Sequence, residues 1–168
     1  FSKRKGIRYL IEAAALLRQA GASFYLLIVG DGPERANLET QARGLGVTAH
    51  FLGFRGDIAS LLAEADVFVI PSLSEGLGVA ALEAMAAAKP VVASAVGGLR
   101  ESVVDNVTGF LVPPRDPNAL AEAIRKLLEN PGMAHEFGAA GQERIRARYS
   151  LSNMAARNEA LYHELLDK

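Results

Sequence analysis

Two glutamates, Glu75 and Glu83, stand eight positions apart in the stretch Pro71–Met85, PSLSEGLGVAALEAM. A loop over Pro71–Leu77 follows the apolar run Asp66–Ile70, and an alanine-rich helix closes the stretch. Gly76 and Gly78 lie between the two carboxylates and let the backbone come close to a ligand. A glycine-lined helix N-terminus offers unpaired N–H groups and the positive end of the helix dipole, and both favour an anion. Carboxylates accept hydrogen bonds from sugar hydroxyls but repel phosphate, so each should stand to one side of that anion. The chemistry suggested is recognition of a molecule with hydroxyls near a phosphate.

Glu83 sits among Ala80, Ala81, Leu82, Ala84 and Met85, in a helix that reads as buried nearly all round. A carboxylate there needs a partner. Helical side chains lean toward the N-terminus, so Glu83 can reach back to the ligand crevice, where a ribose diol would give its two oxygens two donors. The alternative is an internal salt bridge. Glu75 reads either as a ligand carboxylate or as a helix-start residue complementing the dipole. Lys5 lies among Lys3, Arg4 and Arg8, and by charge alone it reads as part of a solvated basic turn. Asp57 reads as the cap of a following helix. Gly97-Gly98 reads as a tight turn beside the ligand or as a plain loop.

The elements that position these residues alternate. Helical spacing over Gly6–Ala20 (Ile7, Leu10, Ile11, Ala14, Leu17) predicts an amphipathic helix stopped by Gly21. Phe24–Val29 is a continuous apolar run, as in a strand buried on both faces. Further strands are expected over Val47–Leu52, Val67–Ile70, Pro90–Ser94 and Thr108–Val112. Helices are expected over Glu34–Leu45, Asp57–Ala65 and about Arg100–Asp105. Asp116-Pro117 and Asn130-Pro131 each pair an N-cap with proline at the first helical position, starting helices over Pro117–Glu129 and to about Arg148. Ser150 or Ser152 would cap a terminal helix. The alternation specifies an α/β, Rossmann-like doubly wound parallel sheet. Ligands of such sheets bind beyond the carboxyl ends of the strands, which brings the Gly30, Gly53, Pro71 and Ala95 loops to one edge.

The length suits one domain over 1–168. Hydrophobic residues at 50% and charged residues at 22% make a globular composition, and a net charge of −1 gives no reason to expect nucleic acid. The absence of Cys removes disulfides and thiolate metal sites. His50, His135 and His163 have no partners at ligand spacing, so no metal is expected. Ser72 and Ser74 lack the G-x-S-x-G context of a nucleophile. Gly30-Asp31-Gly32 lacks the third glycine of a dinucleotide fingerprint. No apolar run approaches the roughly 20 residues of a membrane span, and no signal peptide opens the chain. The chain starts without Met and reads as part of something longer.

Lys5-Gly6, GDGP at Gly30–Pro33, HFLGFRGD at His50–Asp57, KPVVASAVGGLRESV at Lys89–Val103 and TGFLVPPRDPNALAEAI at Thr108–Ile124 accompany the Glu-x7-Glu pair. Together, in order and over nearly the whole chain, they resemble the family-4 retaining glycosyltransferases of GT-B fold. The resemblance implies the C-terminal, nucleotide-sugar-binding domain of such an enzyme. Lys5 and Glu75 would be its catalytic residues. Lys5 would place a charge on the donor diphosphate, and Glu75 would contact hydroxyls of the donor sugar. Gly76, Leu77, Gly78 and Val79 would offer amides to the sugar and β-phosphate, Glu83 would hold the ribose, and Arg55 would lie near the nucleobase through its backbone. Glu101 also matches a family position.

No cofactor is implied, the substrate being a nucleoside diphosphate sugar, UDP- or GDP-linked first, although the residues leave base, sugar and acceptor open. An N-terminal acceptor domain would be absent, leaving the isolated chain inactive. The apolar face of a crossover helix over 149–168 (Met154, Leu161, Leu165) would pack locally or on a second copy, and left exposed it would favour self-association. The family also has a central strand ending in Gly-Arg before the Lys-Gly element, and neither that strand nor its arginine is present. Its gap is expected to be met by direct pairing of the neighbours, by another chain, or by residues outside this sequence. The location implied is cytoplasmic, with peripheral membrane association of the full-length enzyme left open. The competing readings are a non-catalytic nucleotide-binding or interaction module and a sugar-nucleotide epimerase.

Overall fold

The computed structural model describes residues 1–149 and Tyr162. Apart from Tyr149 and Tyr162, the expected crossover helix lies outside them, and so does the self-association expected of it. After a 3-10 turn at Lys3–Lys5 come α1 (Ile7–Gln19), β1 (Leu26–Val29), α2 (Arg35–Gly44) and β2 (Ala49–Gly53). Then follow α3 (Ile58–Glu64), β3 (Phe68–Ile70), α4 (Val79–Ala86) and β4 (Val91–Ser94). α5 (Leu99–Ser102), β5 (Gly109–Val112), α6 (Pro117–Glu129) and α7 (Pro131–Arg148) complete the order. Every strand pairing is parallel. No helix among the described residues is long and apolar enough to cross a membrane.

Strand alternation builds two of the three core clusters around β4. Val92 points to one face, where it meets Leu10 and Leu17 of α1 and Leu120, Ile124 and Leu127 of α6. Val91 and Ala93 point to the other, against Ala81, Ala84 and Met85 of α4 and Leu99 of α5. Helices therefore cover both faces, as a doubly wound sheet requires. The third cluster joins Ile11, Ala14 and Ala15 of α1 to Ile28 of β1 and to Leu38 and Ala42 of α2.

The sheet is in two pieces, β1-β2 and β3-β4-β5. β1 and β3 do not pair, so of the three outcomes expected for the gap, direct pairing of the neighbours does not occur. Between them lies a cavity of about 1130 Å³, lined by both strands, by Ile7, Leu10, Ala14 and Leu17 of α1, and by Leu61 and Leu62 of α3. β1 is consequently not buried on both faces: Ile28 is buried, whereas Leu27 and Val29 are exposed and line the cavity. The apolar run signals a strand suited to burial, but burial is completed only by what packs on it.

Asp116 caps α6 as its sequence predicts, its carboxylate accepting from the Ala119 N–H at 2.9 Å. Asn130 behaves differently. It is the single residue between α6 and α7, and its side-chain amide donates to the Lys126 carbonyl at 2.8 Å. It closes α6 and leaves the start of α7 to Pro131, whose missing N–H needs no cap.

Candidate functional site

Three segments converge at the carboxyl end of β3. The first is the turn that carries Lys5. Gly6 has a left-handed backbone (φ 65°), and a Cβ there would overlap the Pro71 carbonyl oxygen. Only glycine lets this turn seat on the loop after β3. The Leu73 N–H donates to the Arg4 carbonyl at 2.7 Å and fixes the register of the two segments.

The second segment is the loop Pro71–Gly78. Its Glu75 carboxylate accepts from Lys5 Nζ at 2.8 Å and from Ser72 Oγ at 3.1 Å. Ser72 is fully buried, so its hydroxyl is held in this role. Burial pushes the Glu75 carboxyl up. The Lys5 hydrogen bond and charge, the Ser72 hydroxyl and the charge of Arg4 together outweigh burial and hold it below the usual range. In the unliganded chain Glu75 is therefore paired with Lys5. Ser72 was not among the residues predicted from sequence. Its only signal is its place directly after the Ile70-Pro71 strand end.

The third segment is the start of α4. Gly78 is left-handed (φ 73°) and precedes the first helical residue, Val79. Among the described residues, no acceptor meets the N–H groups of Gly76, Leu77, Gly78 or Val79. Four free donors at a helix start make a place for an anion. The loop sits on Gly97-Gly98: a Cβ on Gly97 would overlap the Glu75 carbonyl oxygen, and one on Gly98 the Gly76 carbonyl oxygen. That turn is a close approach of two backbones, not a plain loop.

Glu83 is on α4 but is exposed, contrary to the expectation of burial, and makes no ion pair among the described residues. Ala81, Ala84 and Met85 form the buried face of α4, and Glu83 shares the opposite face with the exposed Ala80. Both line the cavity between β1 and β3, together with Lys5, Ser72 and Gly30–Pro33. The structure therefore brings Lys5, Glu75, Gly76–Val79 and Glu83 to one end of the fold. It does not bring in the Arg55 side chain. Arg55 forms a two-pronged pair with Asp57 at 2.8 and 2.5 Å, and the pair holds the Asp57 carboxyl below its usual range. With its carboxylate so engaged, Asp57 makes no side-chain cap to α3, against expectation. Glu101 is exposed, and its carbonyl accepts from Arg144.

Known proteins match the chain in sequence and in fold. Residues 1–144 match the family described as Glycosyl transferases group 1. Alpha-D-kanosaminyltransferase of Streptomyces kanamyceticus is 35% identical over 165 residues, covering 96% of this chain and 43% of that protein. Phosphatidyl-myo-inositol mannosyltransferase of Mycobacterium leprae is 38% identical over 162 residues, covering 95% and 43%. This chain thus spans less than half the length of these relatives. Among solved structures, sucrose-phosphate synthase from Thermosynechococcus elongatus superposes with a TM-score of 0.89 at 37% identity, over 99% of this chain and 43% of that one. Anabaena HepE in complex with UDP gives 0.87 at 31% identity, over 99% and 46%. By sequence and by fold, the chain belongs to the Glycosyl transferases group 1 family.

Proposed function

We propose that this chain is the donor-binding half of a retaining glycosyltransferase that moves a sugar from a nucleoside diphosphate to an acceptor hydroxyl. The observation that carries the reading is the set of four unpartnered amides at Gly76–Val79 beside the Lys5–Glu75 pair. A diphosphate placed there would receive the amides on its β-phosphate. Its charge would draw the Lys5 ammonium away from Glu75. Lys5 and the amides then stabilise the negative charge that grows on the diphosphate as the glycosidic bond breaks. Glu75, released from Lys5, is left to accept from hydroxyls of the donor sugar. Glu83, exposed on the cavity side of α4, is free to take a ribose diol. Arg55 enters only through its backbone, since Asp57 engages its guanidinium.

HepE has been solved with UDP and with UDP-glucose, so a uracil nucleotide is the first to test. The acceptor side would come from another domain, and the chain by itself is expected to bind donor and transfer little.

The test is a calorimetric titration of the chain with UDP, GDP and ADP, repeated on Glu83→Ala. Saturable binding of one nucleotide is expected, weakened by about tenfold or more when the charged acceptor is removed. A folded chain that binds none of the three would overturn the reading. Retention is tested on the full-length protein, by the anomeric configuration of the transferred sugar in a proton NMR spectrum. An inverted product would refute it.

A further inference from the structure

The four amides are useful only if they point outward together, and the structure shows what aims two of them. In a trans peptide the C=O of one residue and the N–H of the next point in opposite directions. Fixing a carbonyl therefore fixes the following amide. The Glu75 carbonyl accepts from the Gly98 N–H at 3.3 Å, which turns the Gly76 N–H the other way. The Leu77 carbonyl accepts from Ser102 Oγ at 2.8 Å, which does the same for the Gly78 N–H. Ser102 is fully buried, and its hydroxyl makes this bond across the interior rather than to its own helix.

Ser102 is the last residue of α5, a single turn that cannot hold its own end. Arg144 of α7 does that. Its Nε donates to the Ser102 carbonyl at 3.0 Å, and a terminal nitrogen donates to the Glu101 carbonyl at 2.6 Å. The guanidinium fork thus clamps the two last carbonyls of α5 from a helix of 18 residues packed on the core. We propose that Ser102, held by Arg144, is a positioning residue that aims the Gly78 amide at the donor's β-phosphate. The proposal rests on the donor site described above. A hydroxyl 42 positions from its clamp, touching no ligand, would then set affinity for the phosphate end of the donor.

Two readouts on the full chain test this for Ser102→Ala, Arg144→Met and Arg144→Lys. The first is amide hydrogen exchange without ligand. In Ser102→Ala and Arg144→Met, the Gly98 amide, which donates to the Glu75 carbonyl of the same loop, should exchange faster relative to core amides such as Val92, with Arg144→Lys intermediate. The second is titration with UDP and UMP. Loss of the hydrogen bond should weaken UDP by about fivefold to tenfold and leave UMP, which has no β-phosphate, unchanged. Gly98 exchange that rises no more than that of Val92, or UMP affinity that falls in step with UDP, would overturn the positioning role. If the wild-type chain binds no nucleotide, the donor-site reading fails, and the exchange readout alone decides whether Ser102 and Arg144 orient the loop.

Discussion

Lys5 Nζ lies 2.8 Å from Glu75 Oε2, across 70 positions of sequence, with the Glu75 side chain mostly covered and that of Lys5 nearly half exposed. In the unliganded chain the cation proposed for the diphosphate is therefore already engaged. A phosphate must compete with a carboxylate for it.

The competition can be measured. Glu75→Gln removes a negative charge beside the phosphate site and frees Lys5. A partly exposed pair is worth about 0.2–1 kcal/mol, so nucleoside diphosphate should bind about 1.4- to fivefold more tightly to this variant. Lys5→Ala should weaken the same nucleotide. Weaker diphosphate binding by Glu75→Gln, seen by calorimetry, would show that Glu75 contributes to phosphate binding instead of opposing it.

The same pair sets an acid limit. The Glu75 carboxyl is lowered in the folded chain from an ordinary value of 4.5. A lowered carboxylate contributes stability fully present above its unfolded pKa and lost as pH falls through the folded one. Asp31, Asp57 and Glu122 are lowered too, so the informative quantity is a difference. Urea midpoints of wild type and Glu75→Gln should differ most above pH 4.5 and converge below it. A constant gap at every pH would contradict this.

Gly6→Ala tests the seating of the Lys5 turn. The added Cβ meets the Pro71 carbonyl oxygen at a left-handed backbone position, a strain of about 1–3 kcal/mol. The expected outcome is a lower urea midpoint at unchanged slope, together with weaker nucleotide binding because Lys5 is displaced. A fully stable variant would mean that the turn can seat elsewhere.

The two proline-headed helices make a paired prediction. Asp116→Ala should cost about 1 kcal/mol, because a cap to Ala119 is lost. Asn130→Ala should cost less than that, since no backbone N–H of α7 bonds to its side chain. Equal losses in chemical denaturation would show that the two positions do the same work.

The order and type of the elements were legible because each carries a local signal: the spacing of Leu10, Ala14 and Leu17, the Asp116-Pro117 start, the runs at Val67–Ile70 and Pro90–Ser94. The place of the Pro71 loop at the carboxyl edge also followed, since strand ends of a doubly wound sheet share an edge, whereas Lys5 was placed beside it only by the family resemblance. What stayed hidden was tertiary. The alanines around Glu83 are small enough to be buried or exposed, and only packing against β4, α5 and α7 decides that Ala81, Ala84 and Met85 are inside and Glu83 outside. Asp57 sits where a cap belongs, but Arg55 two residues earlier claims it. The Ser102 bond to Leu77 joins residues 25 positions apart and leaves no local pattern at all.

The cavity between β1 and β3 has a consequence for how the molecule comes apart. No ladder joins the β1-β2 pair to the other three strands, so neither sheet holds the other in register. The connection runs through α1, which buries Leu10, Ala13 and Leu17 with one cluster and Ile11, Ala14 and Ala15 with another, and through Phe24 and Leu26, which touch both. Cooperative unfolding needs such shared contacts. With a single helix as the main coupling, β1, α2 and β2 form a separate opening unit, and their amides should lose protection before those of β4.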